Sequence, residues 1–106
     1  MQKVSFRPLA RRDIRDVAAY MLVEASEAVA VSFEKAVQNL AQTLAGMPEI
    51  RVPCSFRNPE LHNVRRLTVT GFEKWLLFYR ATEDRIDVIR VLHGARDIAA
   101  IFEEDT

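Results

Sequence analysis

The chain has 106 residues, 49% of them apolar and 28% charged, which is the make-up of one soluble globular domain spanning 1–106. Fifteen basic and fifteen acidic side chains cancel, which excludes a general attraction to polyanions. A lone cysteine, Cys54, excludes an internal disulfide, and no apolar run nears the ~18 residues of a membrane helix, so a cytoplasmic protein without direct membrane contact is expected.

The charge is unevenly spread. Residues 51–96 carry nine basic against five acidic groups, whereas 97–106 carry four acidic groups and no basic one. The basic stretch suits an anionic partner, and equally a solvated sheet face with compensating charges.

In chain order, Lys3 to Arg7 alternates charged and apolar residues and reads as a short strand that Pro8 ends. Ile14, Val17, Ala18 and Met21 recur at helical spacing, with Arg11, Arg12, Asp13, Arg15 and Asp16 mainly off that stripe. Ser26 reads as the N-cap of a second helix whose inward face carries Val29, Phe33, Val37, Leu40 and Leu44. Gly46 and Pro48 form its stop signal. The short link at 24–26 makes the two helices an antiparallel hairpin.

Met47 to Asn63, with three prolines, reads as a long ordered loop. Three strands follow: VRRLTV, then KWLLFYR, then RIDVIRVLH, leading into a short helix from about Arg96. The WLLF run lacks alternation, as a central strand covered on both faces does. The expected fold is α+β, ordered β-α-α-β-β-β, with the helical hairpin on a small antiparallel sheet and a short C-terminal helix.

Chemistry is sparse. Cys54, His62 and His93 lack the paired spacing of a zinc site, and the three glycines do not cluster, so neither a metal nor a cofactor is expected. His93 ends the last strand. It reads as a corner residue bonded to a backbone group, with a general acid/base as the alternative. The sheet arginines can bind phosphate and stabilise the charge of a cleaving phosphodiester, or simply pair with carboxylates; Arg90, between Ile89 and Val91, reads as a paired, partly covered charge.

The order of Pro8-Leu9-Ala10, Asp13-Ile14, Tyr20 and Phe33, then Arg65–Val69, Gly71-Phe72, Phe78-Tyr79-Arg80 and Val91-Leu92-His93-Gly94-Ala95-Arg96-Asp97 resembles the ParE/RelE superfamily of toxins. The resemblance implies the toxin of a type II toxin–antitoxin module, held inactive by a small antitoxin, here of ribbon-helix-helix type. ParE-like members of this superfamily are inhibitors that trap DNA gyrase; RelE-like members cleave messenger RNA on the ribosome with basic residues and a late tyrosine.

Glu73 stands where the RelE-like pattern has an arginine, and Phe102 where it has the tyrosine. A ParE-like inhibitor of gyrase is therefore expected, with no catalytic residue, and with DNA contacted only through antitoxin or gyrase. The residues expected to contact antitoxin or target are Tyr20, Met21, Arg65, Arg66, Arg80, Arg96, Ile98 and Phe102. The alternative, a ribosome-dependent endoribonuclease, would use Arg65, Lys74, Arg80, His93 and Arg96.

Overall fold

The computed structural model describes residues 3–46, 52–53, 57–61 and 63–105. Strand β1 (Lys3–Phe6) leads into helix α1 (Pro8–Glu24), and a two-residue link joins it to α2 (Glu27–Gly46). Strand β2 (Val52–Pro53) and a 3-10 turn (Pro59–Leu61) precede β3 (Val64–Val69), β4 (Phe72–Ala81) and β5 (Arg85–His93). Helix α3 (Ile98–Asp105) closes the chain. The expected stop at Pro48, together with Cys54 and His62, lies outside the described residues.

Local chemistry sets the helix ends. Pro8 occupies the first turn of α1, where its missing N–H costs nothing. The Ser26 hydroxyl accepts the Val29 N–H at 3.1 Å, so it is the N-cap of α2, with Glu27 in the first turn. The Asp97 carboxylate accepts the Ala100 N–H at 3.2 Å and starts α3 at Ile98, two residues later than its expected start near Arg96.

Among the described residues the sheet has five strands in the order β1-β5-β4-β3-β2. The three long strands form the expected antiparallel meander. The sheet as a whole is mixed, because β1 pairs in parallel with β5, Phe6 opposite Val88. The two-residue β2, inside the stretch read as loop, adds to β3. β4 is central, as the WLLF run implied, and its side chains divide between two cores.

Trp75, Leu77 and Tyr79 face the hairpin, where Phe33 of α2 meets the Phe72 and Trp75 rings edge-on at 5.3 and 6.0 Å. Leu76 and Phe78 face the other way, under α3, where Phe78 and Phe102 lie 4.9 Å apart. Each fully buried aromatic contributes roughly 2–3 kcal/mol, so α3 is an integral cover of the second face.

Two of the expected contact residues are core residues. Met21 is 7% exposed and Phe102 1%. Met21 follows Ile14, Val17 and Ala18 on the inward stripe of α1, and Phe102 fills the second core. Neither offers surface to a partner.

Candidate functional site

The expected arginine constellation is divided by the pleat. Arg65 stands opposite Tyr79 and Arg66 opposite Phe78. Tyr79 belongs to the hairpin-side core and Phe78 to the other, so these neighbouring arginines leave opposite faces of the sheet. Arg80 stands opposite Val64, on the Phe78 side, and its Nε donates to the Asn63 side chain at 2.9 Å. Lys74 lies six positions away on the same strand, about 20 Å at ~3.3 Å per residue. The alternative catalytic set does not meet around one phosphate.

Arg90 is a paired charge. Its Nε and Nη2 donate to the two carboxylate oxygens of Asp13 at 2.8 and 3.0 Å, and the Val91 N–H donates to the same carboxylate at 2.9 Å. The two side chains are only 11% and 12% exposed. The register shift between Phe78 and Tyr79 leaves Ile89 as an extra residue on β5. This bulge brings Arg90 and the Val91 amide to α1. The pair therefore fastens the hairpin to the central sheet.

His93 holds the corner between β5 and α3. Its Nδ1 accepts the Ala95 N–H at 3.0 Å, which places the ring proton on Nε2. Its carbonyl accepts the Arg96 N–H at 3.1 Å, and the Gly94 N–H donates to the Lys74 carbonyl at 2.8 Å. The corner reading of His93 describes this geometry; the nitrogen that a general base would use is already occupied. Glu73 is likewise a turn residue. Its carboxylate accepts the Gly71 N–H at 2.6 Å, where Gly71 has a φ of +85° that side-chain-bearing residues rarely adopt.

What the fold does bring together is a cleft of about 200 Å³ between α1 and this corner, walled by Val17, Tyr20, Trp75, His93 and Arg96. The Trp75 and His93 rings meet edge-on at 5.0 Å on its floor. Among the described residues the large exposed apolar side chains belong to the hairpin: Tyr20 of the cleft itself and, beyond it, Leu9, Leu22, Val23 and Val31. Tyr20 is 61% and Val23 80% exposed. Sequence reasoning named Tyr20 and Arg96 separately, but missed Trp75 as a surface-lining residue because its apolar run signals only burial. Ile98 is half-buried against the second core, away from this cleft.

A family model described as the ParE toxin of the type II toxin–antitoxin system parDE matches residues 4–98. The chain belongs to the ParE toxin family. Its fold is similar to that of the chromosomal ParDE toxin–antitoxin system from P. aeruginosa, with a TM-score of 0.71 at 15% identity over 88% of this chain and 96% of the other. It is also similar to a mutant of YafQ from E. coli, with a TM-score of 0.54 at 14% identity over 96% and 99% of the two chains. Among curated proteins none matches. In this ParE-family chain no group of three His, Cys, Asp or Glu side chains among the described residues is placed to hold a metal ion. No described helix is long and apolar enough to cross a membrane.

Proposed function

We propose that this ParE-family toxin acts by binding rather than catalysis: it inhibits DNA gyrase, and a cognate antitoxin of ribbon-helix-helix type silences it by direct contact. The observation that carries this reading is the dispersal of Arg65, Lys74, Arg80 and Arg96 over two sheet faces and a corner. Phosphodiester cleavage needs donors preorganised around one phosphate, and such a set is missing among the described residues. His93 and Arg96 alone share a site, and His93 is committed to its own backbone corner.

The hairpin supports the antitoxin half of the proposal. Tyr20, Leu22 and Val23 crowd the last turns of α1 with exposed apolar surface, which suits the apolar face of an incoming helix. Arg66 is exposed and has no partner among the described residues, so it remains available to an acidic segment. DNA is contacted only through antitoxin or gyrase. The test is a supercoiling assay with purified gyrase, run beside a pull-down of the co-expressed antitoxin. Unimpaired supercoiling at stoichiometric excess of folded toxin would refute the gyrase assignment.

A further inference from the structure

The cleft between α1 and the β5–α3 corner differs from the hairpin tip in its polar chemistry. Its polar atoms are mostly donors. The Tyr20 hydroxyl, the Trp75 indole N–H, the His93 Nε2–H and the Arg96 guanidinium have no partner among the described residues. On the α1 wall, Asp13 is saturated by Arg90 and the Val91 N–H, whereas Asp16 is exposed, with the Arg12 guanidinium 3.9 Å away as its counter-charge. Apolar walls with unpartnered donors select an occupant that is apolar on one side and an acceptor on the other. At about 200 Å³, the space lies below the roughly 300–1,000 Å³ of small-molecule sites and suits one side chain of a larger partner.

We propose that this cleft anchors an acidic peptide segment. One apolar side chain inserts between Tyr20 and Trp75, and a neighbouring carboxylate is held by Arg96 and the His93 Nε2–H. This rests on the reading of the protein as a binding toxin, and it makes Arg96 a seat of charge recognition in addition to Arg66 of β3. A nucleic-acid strand also offers acceptors and stacking bases, but its run of phosphates finds no basic track here. Arg65 and Arg80 lie elsewhere on the sheet, and among the described residues Arg96 is the one arginine or lysine lining the cleft.

Trp75 is the sole tryptophan, so its fluorescence reports occupancy of the cleft directly. The full chain is titrated with the blocked pentapeptide EEFEE, with its alanine-centred analogue, with the lysine analogue KKFKK, and with a deoxythymidine decamer. Saturable binding of EEFEE is expected, weaker by about tenfold for either analogue, and absent for the decamer. Arg96→Glu and Tyr20→Ala, both at exposed positions and checked for folding by circular dichroism, should each weaken EEFEE to a similar degree. Absence of saturable binding, equal binding of KKFKK, preference for the decamer, or affinity unchanged in Arg96→Glu would overturn the proposal. The titration involves neither antitoxin nor gyrase. Its failure therefore leaves the toxin reading standing, and failure of the gyrase and antitoxin assays leaves the cleft standing.

Discussion

Replacing Asp13 by alanine should be among the most damaging single changes to this fold. The substitution removes the carboxylate that pairs with the Arg90 guanidinium, whose side chain is 11% exposed, and the acceptor of the Val91 N–H. Breaking a buried pair by removing one partner costs about 3–5 kcal/mol, because the remaining charge stays desolvated. With the extra amide left unpaired, a loss of about 4 kcal/mol is expected, which for a domain of this size lowers Tm by roughly 16 °C.

Two other ion pairs serve as controls. Arg7 bonds Asp87 at 2.8 Å but is 40% exposed, and Arg12–Asp16 is exposed at 3.9 Å. Arg7→Ala and Arg12→Ala should each cost less than about 1 kcal/mol. Urea unfolding followed by circular dichroism measures all three. The double variant Asp13→Leu with Arg90→Met removes both charges, so it should be more stable than Asp13→Ala alone. A cost for Asp13→Ala no larger than that of the surface controls would refute the view that this pair fastens α1 to the sheet.

Other consequences follow from burial and exposure. Phe102→Ala, opening a cavity beside Phe78, should cost about 3–4 kcal/mol in chemical denaturation; a loss below about 1 kcal/mol would mean that α3 is not part of the core. Tyr20→Ser and Val23→Ser, at exposed positions, should change stability by less than about 0.5 kcal/mol yet weaken antitoxin binding measured by calorimetry. The Thr82 hydroxyl, donating at 3.1 Å, and the adjacent Arg85 hold the Asp84 carboxyl below the usual carboxylate range. Thr82→Ala should move its NMR titration back up. Because the folded value is depressed, what this contact adds to stability is present above the ordinary carboxylate range and is lost as pH falls through the folded value.

Much of the fold was legible because its signals are local. Helical spacing from Ile14 to Met21, the Ser26 cap and the Trp75–Phe78 run each act within a few residues, and each is found where expected. The parallel pairing of β1 with β5 joins residues 82 positions apart, and no periodicity encodes a partner at that distance. The bulge at Ile89 was equally hidden, although the reading of Arg90 as a paired charge agrees with its bond to Asp13.

Sites were harder to read than elements. Arg65 and Arg66 look like one basic patch in sequence, and the pleat sends them to opposite faces. Met21 and Phe102 look available to a partner, but each completes a core. The cleft of Tyr20, Trp75, His93 and Arg96 joins residues from a helix, a central strand and a corner, so only the folded chain reveals it.

The most direct test of the binding mechanism is purified protein added to translating ribosomes, with gyrase supercoiling assayed in parallel. The expected result is inhibited supercoiling and intact messenger, with Arg80→Ala, His93→Ala and Arg96→Ala each weakening inhibition in graded fashion, as interface truncations do. Site-specific messenger cleavage that Arg96→Ala abolishes while ribosome binding is retained would contradict it, because such a loss marks a residue acting only in a transition state.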